Sequence, residues 1–303
     1  MAGVGGAVAV GNSGGARSSG LAPVAVFNVS GCAFSQCVAG SGGGALAAVG
    51  AGAFAKVDSV YFVRNEVGKA TGTGFGGGAV LVSDRAVAEV FDAIFVGNSA
   101  APAGDSCVLG PYGGAVAARS GAEVVLTGPA MFSNLACDGG ALAAFNASLR
   151  VAAAMVIGNT AVNGGGALYA KGGQAVVVVS SSFLRLNRAA AGSGGAVLAW
   201  DSVSLYLTAV AASFNSAASN GGALIAVQAA LINVTNLVLT MNAAIIQGGG
   251  ACLAGNVQVR WDGFHLVNNT AAEGGGLWIS RFDTSKTVRP LLLWLWLWLW
   301  LWS

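Results

Sequence analysis

Apolar and polar residues alternate over short runs of this chain. Val203-Ser204-Leu205-Tyr206-Leu207 and Val257-Gln258-Val259-Arg260-Trp261-Asp262 put every second side chain on one face, which is the period of a half-buried strand. The stretch from Gly165 to Ser193 shows how such runs are joined. Leu168-Tyr169-Ala170 reads as a short extended piece and Lys171-Gly172-Gly173 as a turn. Gln174 to Ser182 is a Val-rich strand that continues through Phe183-Leu184-Arg185-Leu186-Asn187, and small residues lead to the next glycine pair. No amphipathic helical period appears in this unit.

The unit recurs. Glycine pairs stand at Gly43-Gly44, Gly77-Gly78, Gly113-Gly114, Gly139-Gly140, Gly165-Gly166, Gly194-Gly195, Gly221-Gly222, Gly249-Gly250 and Gly275-Gly276, each followed by Ala except the last, which precedes Leu277. From Gly113 the spacings are 26, 26, 29, 27, 28 and 26 residues, a period that belongs to stacked repeat architectures. Upstream of the pairs lie Asn65, Asn98, Asn134, Asn159, Asn187, Asn215, Asn242 and Asn268, with Asn269 the alternative for the last; Cys37 takes that place in the first unit. If neighbouring units pair in parallel, each asparagine sits ~4.8 Å above the last at one corner. A stacked amide ladder then stabilises the turn, and Asn tolerates the left-handed backbone of a sharp corner. The glycine pairs meet a second corner, where positive φ or close backbone approach leaves no room for a Cβ. The two early spacings, 34 and 36 residues, place their extra residues between Asn and Gly-Gly, at Glu66 to Gly76 and Ser99 to Tyr112. Insertions leaving one corner of a solenoid often mark its binding face.

Composition narrows the classes. Charged residues are 9% of the chain, against ~25% in ordinary soluble domains, so Ser, Asn, Thr and backbone must supply the wet surface. The basic residues are scattered singly, which excludes the clustered footprint of a nucleic-acid binder. The five cysteines, Cys32, Cys37, Cys107, Cys137 and Cys252, follow no zinc spacing. They read as buried small hydrophobes, with a Cys32–Cys37 disulfide open as an alternative. Met1 to Gly20 lacks a basic segment followed by an apolar core, so no secretory signal is read there, and the chain is expected to begin inside an array. Leu224 to Ile246 is uncharged over 23 residues but holds Gln228, Asn233, Asn236 and Asn242 in register with the repeat, so strand-turn-strand is expected rather than a membrane span. The Leu-Trp alternation from Leu291 to Trp302 is too short for a helical span and reads as low complexity.

Two motifs alternate along residues 30 to 280. One is Gly-Gly-Ala-aliphatic, as in Gly77-Gly78-Ala79-Val80 and Gly221-Gly222-Ala223-Leu224. The other is Phe-x-x-Asn, complete at Phe62-Val63-Arg64-Asn65 and Phe95-Val96-Gly97-Asn98 and degenerate at Met131 to Asn134, Leu184 to Asn187 and Leu239 to Asn242. The tandem resembles the repeats of the chlamydial polymorphic outer membrane proteins, within the pectin-lyase-like β-helices. The resemblance implies an all-β, right-handed parallel β-helix of about eight to nine coils, period about 26–29 residues, displayed at a surface and adhesive. Residues 1–29 are then a Gly/Ala-rich start, read as a truncated coil, 30–280 the β-helix, and 281–303 a tail. That family's C-terminal barrel has no counterpart after residue 280 in this chain.

No set of residues in the sequence points to catalysis. β-Helix lyases and hydrolases use clustered carboxylates, but no two of the twelve acids are adjacent and no Asp-x-Asp occurs; the nearest trio is Asp84, Glu89 and Asp92. His265, the one histidine, has no triad partner in sight. Gly72 to Gly77 lacks the Gly-Lys-Ser/Thr ending of a phosphate loop. Asn28, Asn146, Asn233 and Asn268 begin Asn-x-Ser/Thr sequons. The expectation is therefore a non-enzymatic, extracellular or cell-surface solenoid with no catalytic residue, cofactor or metal site. Its expected partner is a glycan or protein at a cell surface, and membrane association would have to come from unassigned segments. The competing expectations are a polysaccharide lyase or glycoside hydrolase, and a piece of a larger β-helix protein.

Overall fold

The computed structural model describes residues 8–11, 25–68, 76–101, 107, 113–228 and 230–280. Among them every strand pairs in parallel with the equivalent strand of the next repeat and no helix is present, so the chain forms a β-solenoid of about eight turns. One repeat shows the build. Leu168–Lys171 forms the first face, Val176–Ser180 and Phe183–Arg185 the long second face, and Arg188–Ala189 the short third face. Repeated along the axis, these give sheets of 10, 15 and 8 strands. Val8–Gly11 and Ala25–Ser30 already pair with Leu46–Val49 and Ala53–Asp58, so stacking takes in residues ahead of residue 30. The Leu-Trp tail lies outside the described residues, as do most of the two early insertions.

Strand alternation divides inside from outside. On the first face Leu46, Val80, Val116, Leu142, Leu168, Val197 and Leu224 stack inward and all are at most 2% exposed. On the second face Phe34, Phe62 and Phe95 stack ring on ring at 5.3 and 4.8 Å, and Met131, Val156 and Leu184 continue the column. Burying each large side chain stabilises the coil by roughly 1.5–3 kcal/mol. The interior is narrow enough that the residue after the glycines is Ala, fully buried at Ala45, Ala79, Ala115, Ala141, Ala196 and Ala223. The expected Gln174–Asn187 strand is bent: Ser181 takes φ 47°, and Ser59, Asp92, Ala153, Ala209 and Asn236 do the same in their coils. Leu224 to Ile246 holds the strands Leu224–Val227 and Leu231–Thr240.

The last two repeats are in a different register from the one expected. Leu224 pairs with Ala251 and Ala251 with Leu277. Hence Gly248-Gly249 and Gly274-Gly275 are the equivalents of Gly221-Gly222, and Gly248 and Gly274 carry the positive φ (64° and 60°) found at Gly221 (66°). Gly250 and Gly276 then occupy the Ala place, which corrects the pairs Gly249-Gly250 and Gly275-Gly276. A Gly-Gly-Gly run gives two possible pairs, and only the strand register chooses between them.

Both corners have a steric cause. A Cβ on Gly166 would lie 2.6 Å from the main-chain carbon of Arg188 and closer still to the Gly195 carbonyl oxygen of the next coil. The first glycine of each pair is blocked from its own coil: a Cβ on Gly43 would reach within 2.7 Å of the Leu46 carbonyl carbon. Close approach is thus common to all turns, while positive φ at the first glycine is confined to those from Gly139 onward.

Candidate functional site

At the Asn corner the amides form one continuous column: Asn65, Asn98, Asn134, Asn159, Asn187, Asn215, Asn242 and Asn269, the first seven at most 1% exposed. The last member corrects Asn268: Asn269 accepts from Asn242, and Asn268 is exposed. The left-handed residue is also not the asparagine. It is the residue before it, as at Gln36, Arg64, Ser133, Leu186, Phe214, Met241 and Asn268, with φ between 52° and 56°. That flip turns the following side chain inward. Inside the column each amide is saturated. Asn187 Oδ1 accepts from the main-chain N–H and Nδ2 of Asn159 at 3.1 and 3.0 Å, while its own Nδ2 donates to Val156 O and Asn215 Oδ1 at 2.9 and 3.0 Å. At the start, Cys37 N–H donates to Asn65 Oδ1 at 3.0 Å, so the ladder's acceptor is used even where the asparagine is replaced. This column is scaffold, with no group left over for a ligand.

The outward counterpart of the same segments is different. Nine stacked four-residue windows, beginning at Ala33, Tyr61, Ile94, Ala130, Met155, Phe183, Ala211, Val238 and His265, form the second half of the long sheet and its corner. None contains a carboxylate, and the ionisable groups they carry are Arg64, Arg185, His265 and the Tyr61 hydroxyl. Many of their outward side chains are apolar and open, Tyr61 51%, Met155 47%, Phe183 61%, Leu186 52%, Phe214 43% and Met241 45% exposed, interspersed with exposed Gln36, Arg64, Ser133, Arg185, His265 and Asn268. Arg185 lays its guanidinium 5.2 Å from the Phe214 ring centroid. At ~4.8 Å per coil and ~3.3 Å per residue the face is on the order of 38 Å long and 10 Å wide. Within that footprint of roughly 400 Å² the open apolar side chains recur from coil to coil, and the largest such patch on a protein is often functional. The signal of this face was present in the sequence as the residue before Phe-x-x-Asn and the second x of that motif, positions that a reading of the inward Phe and Asn leaves out.

The described polar groups gather at one other place. Asp138, at the end of Leu135–Asp138, is largely buried, and that burial pushes its carboxyl up to about 6, with the Asn163 side chain and the Lys171 charge pulling the other way. Asn163 Nδ2 donates to Cys107 O at 2.9 Å, and Cys107 is disulfide-bonded to Cys137. This bridge replaces the Cys32–Cys37 alternative; Cys32, Cys37 and Cys252 are free. Tyr169, 6% exposed outside the first face, has its hydroxyl pushed well above the usual tyrosine range by burial and by Asp138 and Asp201. The neighbours Leu198, Ile225 and Cys252 bury the same outer row, and burial pushes the Cys252 thiol up to about 11. Among the described residues no group of three His, Cys, Asp or Glu side chains could hold a metal ion. His265 stands exposed on the apolar face, away from this cluster.

Fold and corners together define the class: a parallel β-solenoid with an interior amide ladder. No family model matches this chain, and neither a curated protein nor a solved structure matches it.

Proposed function

We propose that this chain is a non-enzymatic repeat solenoid acting as a structural or adhesive element at a cell surface or outside the cell. The observation that carries the reading is the carboxylate-free apolar face built from the same window of nine successive coils. Its area is about half of the ~800 Å² per partner that a standard protein interface buries. An elongated ligand lying along the coil axis, or many weak contacts acting together, suits it better than a globular partner. The Cys107–Cys137 bridge supports an oxidising compartment. The alternation of Gly-Gly-Ala and Phe-x-x-Asn motifs gives further support through its resemblance to displayed pectin-lyase-like β-helix passengers.

The test is binding of the purified protein to extracellular polysaccharides and to intact cell walls, comparing the native chain with the Met155→Ser, Phe183→Ser double variant. Both side chains are about half exposed or more, so stability should change little while binding falls at least tenfold. Unchanged binding in the variant would remove this face from the proposal.

A second reading, glycan cleavage, would place its acid at Asp138, which lies beside Asn163 and the Cys107–Cys137 bridge and whose carboxyl burial raises to about 6. Incubation with polygalacturonate and related glycans, with and without calcium, decides it by the appearance of reducing ends.

A further inference from the structure

The coil sorts the four sequons by where it points them. Asn268 and Asn269 are neighbours in sequence but face opposite ways. Asn269 turns inward, where its Oδ1 accepts from Asn242 at 2.9 Å, while Asn268 stands exposed at φ 52° with exposed Thr270 two residues on. Asn28 is exposed on the outer side of Ala25–Ser30, and Ser30 is exposed with it. The other two are half-buried rather than exposed. Asn146 Oδ1 accepts from the N–H of Gln174 in the next coil at 3.4 Å, and its amide carbon would lie 2.7 Å from a Cβ placed on Gly172. Asn233 is half-buried in its strand and flanked in register by Tyr206 and Arg260.

We propose that Asn28 and Asn268 carry N-linked glycans and that Asn146 and Asn233 do not. The proposal rests on the extracellular reading, because the co-reactant, a lipid-diphosphate-linked oligosaccharide, is met in the secretory pathway. In the transfer, Asn268 Nδ2 forms a bond to the anomeric carbon of the first sugar. The bond from that carbon to the diphosphate oxygen breaks, the lipid diphosphate leaves with the electron pair, and the amide gives up one proton. No oxidant or reductant enters. The resulting positions are informative. Asn268 ends the corner column that runs through Leu186, Phe214 and Met241, and Asn28 lies on the first described coil. A bulky, hydrated glycan at each place covers the two ends of the long sheet and leaves Met155, Phe183 and Phe214 open between them. The glycans would then limit association of one apolar face with another without covering the middle of it.

The experiment is peptide mass mapping of the protein isolated from the cells that make it, after peptide-N-glycosidase treatment in heavy-oxygen water. Asn28 and Asn268 are expected to convert to ¹⁸O-labelled Asp, and Asn146 and Asn233 to remain Asn. In a eukaryotic secretion host, Asn268→Gln should remove one glycan's worth of mass and Asn146→Gln none. Protein recovered outside the cell with Asn28 and Asn268 unconverted overturns the glycan assignment and leaves the extracellular reading standing. Protein recovered only from cytosol overturns both, and conversion at Asn146 shows that the coil does not sort the sequons as argued.

Discussion

Asn215 Oδ1 accepts twice from Asn187, from its main-chain N–H at 2.9 Å and from Nδ2 at 3.0 Å. Side chain and backbone of one coil are thereby tied to a single atom of the next, 28 residues on. The bond pair fixes register as well as adding stability, since a slip by one residue would put an outward side chain in the amide's place.

Replacing Asn187 with Leu keeps the number and branching of the side-chain heavy atoms and removes the polar ones. The main-chain N–H and Nδ2 of Asn159 then lose their acceptor, and Val156 O and Asn215 Oδ1 each lose a donor, all in a buried corner. At roughly 1–3 kcal/mol for each unsatisfied buried group, the loss should be at least about 3 kcal/mol in chemical denaturation. Asn268→Gly, at an exposed left-handed position, should change stability by less than about 0.5 kcal/mol. Equal losses from the two would contradict the assignment of Asn269 to the ladder.

Gly166→Ala and Gly173→Ala separate steric need from simple glycine content. The Cβ of the first meets backbone of two coils well inside contact distance, whereas that of the second meets Ser202 Cβ at 3.6 Å, ordinary van der Waals contact. The first variant should fail to accumulate as folded protein. The second should be as stable as the parent or gain a few tenths of a kcal/mol through a less flexible unfolded chain. Circular dichroism melts of the two check this.

Much of the scaffold was legible because its causes are local and repeat. Glycine is required wherever a Cβ meets backbone, and the Asn column needs one amide per coil, so both appear at fixed spacing. What escaped were details set by neighbouring coils. Gly248-Gly249-Gly250 contains two glycine pairs, and Asn268-Asn269 two candidate amides; only pairing of Ala251 with Leu224 and of Asn269 with Asn242 resolves them. The left-handed flip at Leu186 or Phe214 has no signature in residue type, because the rigid corner imposes it against the side chain's preference. The Cys107–Cys137 bridge spans adjacent coils across an insertion, so spacing carried no hint of it.

That bridge joins residues 30 positions apart. Its removal by Cys107→Ser should cost about 2–4 kcal/mol, whereas Cys32→Ser and Cys37→Ser, free thiols on the first coils, should leave the disulfide count unchanged. Peptide mapping without reductant should find Cys107 linked to Cys137; a Cys32–Cys37 peptide instead would restore the alternative pairing.

Asp138 makes stability fall with pH. Burial raises its folded pKa from the usual 3.8 to about 6, so the fold favours the protonated carboxyl. The stabilisation is fully present below pH ~4, is lost as pH rises towards ~6, and stays lost above that. Each unit of difference corresponds to about 1.4 kcal/mol, so the parent should lose on the order of 2–3 kcal/mol over this window relative to a variant that cannot ionise there. Asp138→Asn keeps an oxygen for the Asn163 contact and removes the charge. Lys171, which attracts the carboxylate, and Asp201, which acts on the same Tyr169, are present in both proteins, so the difference between them isolates Asp138. Urea midpoints at pH ~4 and pH ~7.5 should nearly coincide at the lower pH and favour Asp138→Asn at the higher. The same separation at both pH values would mean that Asp138 is not titrating in this window, and with it would go the observation that favours glycan cleavage.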